Sequence, residues 1–447
     1  MEGFGHRPLS TDRSNYIQVH GANRPWSLLE VAFEAGTIKP DYDGYCVSNL
    51  PSTILSIFGI SSQRRRLPPD ALGGTETGGV EKVVLMVFDG LGHDEWKRQE
   101  RQGFFGAMTK GGHVRPITTV FPSTTAAALT SITTGLTPQE HGLIEWFLYL
   151  KEVDTIILSL PFSPIGGRGS DELRATVNPE ILFEGKPIFE TLGENGVVSN
   201  SFLSRYVSYG AYTGVMHRES KLNSFTTASD LAVSLRRKLE ETRGPAFFYV
   251  YWPYIDNLEH SYGPNTEEAR LEASSVSQTL QDGLLSKLDE GVAAKTLFLA
   301  TADHGQILSD SRNATMLDDF PRLVGSLATS SRRRLILPWG SPRDLYLQVK
   351  DGSVDETREY LSTILNGSAT VLRTDDAVSA GVFGRGTYAG SFRERVGNIM
   401  ILPTDKKSVW YRYPNIDAPK LLGQHGGMHP DEVTIPLAAA RGSSMLS

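Results

Sequence analysis

The chain has 447 residues, more than one small core needs, which fits two or three domains or one large α/β domain carrying an insertion. Its composition is ordinary for a globular protein, and a net charge of −7 argues against a nucleic-acid polymer as principal ligand, because phosphate neutralisation requires a basic face. The single cysteine, Cys46, has no internal disulfide partner. Met1 to Pro25 lacks an apolar signal region, and no window is apolar for about 18 residues. The expectation is a cytoplasmic protein without a membrane span.

Residues 1–40 read as an arm packing on a larger body. Pro51 to Phe58 suggests a short helix ended by Gly59, and Arg64 to Gly79 a surface loop rich in Arg, Pro and Gly. Lys82 to Phe88 is a continuous apolar run ending at Asp89-Gly90, the pattern of a buried parallel strand. An acid at the carboxyl end of such a strand stands where open α/β sheets place ligand chemistry. The same pattern recurs at Ala246 to Tyr251, followed by Asp256 and His260, and at Thr296 to Thr301, followed by Asp303-His304-Gly305. Asp154 to Leu158 reads as a further strand without such a tail. Helical periodicity covers Ile188 to Asn195, Ala228 to Glu241 and Glu267 to Leu288, the last with Gly291 as its stop. This alternation predicts a mostly parallel sheet with helices on both faces.

From about residue 310 to 405 the pattern changes. Strands are expected at Asp344 to Lys350, Thr370 to Arg373, Arg395 to Leu402 and Val409 to Tyr413, with helices at Val354 to Leu365 and Asp375 to Val382. This segment reads as a small inserted α+β subdomain. The main fold then resumes with Gly423-Gln424-His425-Gly426-Gly427 and the apolar Val433 to Ala440. The fold class is therefore α/β, with a main domain over 41–309 and 406–447 and an α+β cap over 310–405.

Phe121-Pro122-Ser123-Thr124-Thr125 runs as a loop into the Ala-rich Ala126-Ala127-Ala128, a good helix former. Hydroxyls at a helix start stand where free N–H groups and the dipole favour an anion such as phosphate, although Ser and Thr are also ordinary N-caps. The scattered acids and imidazoles decide the matter. Hard or borderline dications take carboxylate oxygen and neutral imidazole nitrogen. Asp256 and His260, four apart, point one way on a helical turn. Asp303 and His304 follow a strand, His425 lies in a Gly-rich turn, and Asp89 supplies a further carboxylate. One such pair means little; four clusters, each after a buried strand or in a Gly-rich turn, point to a metal site.

The arrangement resembles the alkaline phosphatase superfamily, in its nucleotide pyrophosphatase/phosphodiesterase branch. The matching motifs are Asp89 after Val87-Phe88, the Phe121 to Thr125 loop ten residues before Gly135, Pro138-x-x-His141-Gly142, Asp256-x-x-x-His260, Asp303-His304-Gly305 and His425-Gly426-Gly427. The resemblance implies Thr125 as nucleophile, rather than Ser123 or Thr124. It implies two divalent ions, zinc or alternatively manganese. One would be held by Asp256, His260 and His425, and the other by Asp89, Asp303, His304 and the Thr125 oxygen. His141, like His93, His113 and His429, is expected to be structural. A threonine hydroxyl is a weak nucleophile near neutral pH, and coordination to a dication makes its alkoxide available.

Two features depart from the nucleotide-cleaving members. Ala126 stands where many carry an aromatic, and Ala128 where they carry an Asn that binds a phosphoryl oxygen. Trp146, Phe147, Trp252 and Tyr254 lie beside motif residues, and Tyr254 is taken as a substrate contact; otherwise these are core or lid aromatics. A Ser/His/Asp hydrolase lacks its Gly-x-Ser-x-Gly elbow here, and the Cys-x-Pro-x-Arg signature of sulfatases is absent. The expected function is hydrolysis of a small-molecule phosphodiester or pyrophosphate through a phospho-threonine intermediate. The alternatives are a phosphomonoesterase or phosphonate hydrolase on the same scaffold, and a non-catalytic ligand-binding relative.

Overall fold

The computed structural model describes residues 36–414, 416 and 420–446. The N-terminal arm expected over 1–40 therefore lies outside the described residues except for its last five. There the Ile38 N–H donates to the Met428 carbonyl at 2.9 Å.

The main sheet has seven strands, numbered here in chain order: β1 Lys82–Phe88, β2 Gly112–Thr118, β3 Val198–Ser204, β4 Lys221–Phe225, β5 Ala246–Trp252, β6 Thr296–Thr301 and β7 Thr434–Arg441. Their order across the sheet is β2-β7-β6-β1-β5-β3-β4. Six run parallel, and β7 runs antiparallel to both its neighbours. Every residue of β1, β5 and β6 is buried, as expected of central strands covered on both faces. Helices on the two faces include α1 Thr125–Thr134, α2 Ala228–Glu241, α3 Tyr254–Tyr262 and α4 Glu267–Gly283.

Register sets the level of the site. Phe88 pairs with Trp252, and Val87 with both Tyr251 and Thr301. The three central strands therefore end together, and the acids that follow them emerge at one rim. The Asp89 N–H donates to the Trp252 carbonyl at 2.9 Å, and the Asp256 N–H to the Asp89 carbonyl at 3.1 Å.

Three expectations need correction. Thr155–Leu158 is a strand, but it pairs antiparallel with Phe147–Leu150 and Ser163–Pro164 in a small separate sheet. A tight turn at 151–154 joins the first two of these strands, so no crossover helix can carry the chain into the main sheet. Helix α4 ends at Gly283 rather than Leu288, and Gly291 lies inside the next helix, Glu290–Ala294. A Cβ at Gly283 would stand 2.9 Å from that of Ala232, so glycine permits the close approach of α4 to α2. The segment from Arg395 is helical first, over Phe392–Arg395, and becomes a strand only at Ile399–Pro403.

A second apolar cluster forms beside α1. Around it lies an antiparallel four-stranded sheet of Trp339–Ser341, Asp344–Leu347, Ile399–Pro403 and Ala369–Arg373, in that order. The cluster includes Trp339, Tyr346, Phe383 and Phe392, and it also draws in Phe121, Leu143, Leu148 and Phe162 from earlier in the chain. Among the described residues, no helix is long and apolar enough to cross a membrane.

Candidate metal centre and nucleophile

The three central strands deliver Asp89, Asp256 and Asp303 to the sheet rim, and α3 brings His260 one turn after Asp256. His425 arrives by another route. Ile307 and Leu308, just past Asp303-His304, pair antiparallel with Gln424 and Gly423. That short ribbon sets His425 against His304, their rings stacked with centroids 3.6 Å apart.

Serine 123 then ties the hydroxyl loop to this histidine. Its Oγ donates to the Gly427 carbonyl at 2.8 Å and accepts from the Gly426 N–H at 3.2 Å, and its carbonyl faces His425 Nδ1 at 3.0 Å. Thr124 Oγ1 donates to the Ile144 carbonyl at 3.2 Å. Thr125 Oγ1 instead stands 3.0 Å from His304 Nε2. Of the three hydroxyls, that of Thr125 alone faces the acids and imidazoles.

Each imidazole is oriented in the same way. His260 Nδ1 meets the Gly423 carbonyl at 2.8 Å, His304 Nδ1 meets Gly305 at 3.2 Å, and His425 Nδ1 meets Ser123. A carbonyl only accepts, so each Nδ1 carries a proton, and in the neutral ring that a metal requires each Nε2 presents a lone pair. Thr125 therefore donates to His304. His260 Nε2 and His425 Nε2 lie 3.3 Å apart, two lone pairs face to face. Burial and the neighbouring imidazoles hold the His425 pKa well below its ordinary value.

The carboxylates tell a matching story. Asp89 Oδ1 and Asp303 Oδ2 are buried without a hydrogen-bond partner among the described residues. His304 Nε2 lies 3.4 Å from the first and 3.5 Å from the second, and His260 Nε2 lies 3.4 Å from Asp256 Oδ2. Burial, and the charges of Asp303 and Asp256, push the Asp89 pKa well above the usual carboxylate range; burial also raises that of Asp303. Two sets of donor atoms converge within 4.8 Å of one another: Asp256, His260 and His425, and Asp89, Asp256 and His304. Orphaned carboxylate oxygens and opposed lone pairs are what a dication would satisfy, and this oxygen-and-imidazole set fits the two ions implied by the motifs.

Six side chains and the Thr125 hydroxyl thus meet at one place. Tyr254 stands apart from it. Its hydroxyl bonds Ser204 Oγ at 2.8 Å and its ring packs edge-on against Trp252. The cavity it lines, of about 460 Å³ with Trp252, Asn257, Leu258 and Glu272, includes none of the clustered residues. On α3, Tyr254 is two residues from Asp256, about 200° around the axis, which turns it to the opposite face. His141 is structural in its bonds: Nε2 faces Ser131 Oγ at 3.0 Å and Nδ1 accepts from the Leu143 N–H at 3.1 Å.

Sequence reasoning missed four supporting residues. Tyr251 donates its phenolic proton to Asp89 Oδ2, and Gln306 its amide proton to Asp256 Oδ1. Glu432 accepts from the Gly427 and His429 N–H groups and is paired with the buried Arg343. A capping pattern, His429 followed three residues later by Glu432, was the available signal for the last pair. For Tyr251 and Gln306, adjacency to the motifs was the only hint.

A mostly parallel α/β sheet, with an acid/imidazole cluster at its carboxyl rim and a hydroxyl at a helix start facing it, defines an alkaline phosphatase-like fold. The family model for type I phosphodiesterase / nucleotide pyrophosphatase matches residues 83–428. The chain belongs to that family. Human ectonucleotide pyrophosphatase/phosphodiesterase family member 5 is 23% identical over 373 residues, covering 78% of this chain and 68% of that protein. A venom phosphodiesterase of Crotalus durissus collilineatus is 27% identical over 207 residues, covering 44% of this chain but only 22% of its own length. Among solved structures, the mouse family member 5, an inactive variant in complex with AMP, superposes with a TM-score of 0.60 at 18% identity over 80% of this chain and 87% of that one. Phosphonoacetate hydrolase from Sinorhizobium meliloti 1021, in complex with phosphonoformate, does so at 0.58 and 16% identity, over 80% and 89%.

Proposed function

We propose that this chain is a two-metal phosphoester hydrolase that attacks phosphorus with Thr125 and acts on a small-molecule phosphodiester or pyrophosphate. The observation that carries the reading is the Thr125 hydroxyl, 3.0 Å from His304 Nε2, among buried carboxylate oxygens that have no hydrogen-bond partner among the described residues. Asp256, His260 and His425 would hold one ion, zinc in our reading, and Asp89, Asp303 and His304 the other, beside Thr125. When bound, the ions supply Lewis acidity, which lowers the pKa of the nucleophile and neutralises charge on phosphate.

The chain's own groups do the rest. Thr125 gives its proton to solvent water and its oxygen bonds to phosphorus. The bond to the leaving oxygen breaks and that oxygen takes a proton from water. The phospho-threonine so formed is later cleaved by a second water, which returns the proton to Thr125. Two displacements give overall retention at phosphorus. Thr124, the N-cap of α1, makes no side-chain bond to the helix start, so first-turn N–H groups remain for a phosphoryl oxygen. Ser123 holds the loop against His425. The apolar cluster of the expected 310–405 insertion, with Leu143 and Leu148, includes Phe121 before α1 and Ala126 at its start, and we propose that it caps the site.

The neighbour bound to AMP supports a small phosphoester ligand. Ala126 and Ala128, both buried, replace the aromatic and the Asn of many nucleotide-cleaving members, which argues against a nucleotide as the substrate. Zinc-loaded protein offered bis(p-nitrophenyl) phosphate and p-nitrophenyl phosphate side by side is expected to turn over the diester faster. Faster monoester turnover would instead assign a phosphomonoesterase, and no turnover with metal bound a ligand-binding relative. Thr125→Ala should lower turnover at least about a thousandfold, on the scale of removing a nucleophile, while metal binding persists.

A further inference from the structure

The three carboxylates of the cluster share a feature that their motifs do not require. Each has one oxygen occupied by a donor from the protein. Tyr251 donates to Asp89 Oδ2, and Gln306 donates to Asp256 Oδ1. Asp303 Oδ1 accepts from the Gly90 N–H at 3.2 Å and from the His304 N–H at 2.9 Å. The remaining oxygens, Asp89 Oδ1 and Asp303 Oδ2, have no hydrogen-bond partner among the described residues, while Asp256 Oδ2 lies 3.4 Å from His260 Nε2 and its Gln306-bonded Oδ1 lies farther, 3.8 Å, from His425 Nε2. Tyr251 and Gln306 are themselves buried, so no water competes for these bonds. Gln306 is further fixed by a second bond, Nε2 to the Asp256 carbonyl at 3.3 Å.

A hydrogen bond to one carboxylate oxygen draws its charge and fixes its direction, which favours one bond to a cation through the other oxygen over two. Three such carboxylates and three imidazole Nε2 atoms make six donors, three for each of two ions. Three protein donors plus one further position is the four-coordinate arrangement that suits zinc. Manganese and magnesium favour six, mostly oxygen, ligands. We propose that Tyr251 and Gln306 are positioning residues that fix the metal preference of the centre, by confining Asp89 and Asp256 to one bond each. This rests on the two-metal reading above and adds to it the determinant of which ion is held.

Substitution of either donor frees the second oxygen and permits two-point coordination. Gln306→Met and Tyr251→Phe preserve volume and remove only the donor. Each protein, loaded with cobalt(II), is read by its visible absorption, which is strong for four-coordinate and weak for five- or six-coordinate cobalt. Zinc and manganese are then offered together and the retained metal is counted by mass spectrometry. Wild type is expected to give the strong band and to prefer zinc. Each variant should lose several-fold in band intensity and about tenfold in zinc-over-manganese preference, the usual size of effects from groups that support metal ligands. A wild-type spectrum and preference in both folded variants would overturn the proposal and leave the two-metal reading standing. Absence of cobalt uptake by wild type would overturn both. Should one variant fail to fold, by circular dichroism, the other decides.

Discussion

Serine 123, Thr124 and Thr125 are three consecutive hydroxyls with three fates, and the difference lies in what the surrounding backbone offers each. Ser123 bridges Gly426 and Gly427, Thr124 turns to the Ile144 carbonyl, and Thr125 is left to the imidazole of His304. No rule of propensity separates them, since all three are good residues at a helix start. Ser123→Ala is expected to leave the buried Gly426 N–H without its side-chain acceptor, costing about 1–3 kcal/mol. It should also lower turnover roughly tenfold, because the His425 loop loses both side-chain bonds to Ser123 and keeps only the backbone ones. Thermal melts and steady-state rates check this; a variant with wild-type turnover would make Ser123 a bystander.

At the scale of the element, the loop Gly423 to Gly427 carries more than its composition suggests. Gly426 adopts φ of +126°, and a Cβ there would come within 2.6 Å of Asp344 Oδ1. Both the backbone and the close approach of the Asp344 strand require glycine. Gly426→Ala should therefore cost about 1–3 kcal/mol and displace His425. A zinc titration would then show one of two sites weakened while the other is retained; two intact sites would refute that role. The strands divide into legible and illegible in the same physical terms. β1, β5 and β6 are continuous apolar runs because both their faces are covered, and they are readable without a structure. β3 is not, since its Ser199, Asn200, Ser201 and Ser204 are polar yet buried. Ser201, for instance, bonds His217 at 3.0 Å and Ser220 at 2.7 Å. Among the described residues the edge strand β4 pairs on one side only and β2 has just a bridge from Thr118 to Cys46 on its outer side; both carry exposed residues, which removes the pattern that marks a strand.

At the scale of the whole molecule, the two apolar clusters are joined near the site by a buried ion pair. Arg343, just before the Asp344–Leu347 strand, donates to both oxygens of Glu432 at 3.0 and 2.9 Å, and Glu432 holds the Gly427 N–H at 3.0 Å. Both side chains are almost wholly shielded from water. Arg343→Met would leave the Glu432 carboxylate uncompensated, at a cost of about 3–5 kcal/mol. The expected result is a lower unfolding midpoint in urea together with weaker metal binding at the His425 site. Loss of stability without any change in metal binding would show that the pair is structural glue alone.

The motif residues, the parallel character of the sheet and the family were all decided by local sequence. An apolar run that ends in an acid has few physical readings, and a strand covered on both faces can end only at a rim. Tertiary structure alone decided the rest. It made β7 antiparallel, turned Tyr254 away from the cluster, and brought His425 to Ser123 across 302 positions. It also determined which oxygen of each carboxylate is left free. Those outcomes depend on contacts between distant segments, whose geometry is set by packing and by the pairing of buried polar groups, and neither is written in the neighbourhood of any one residue.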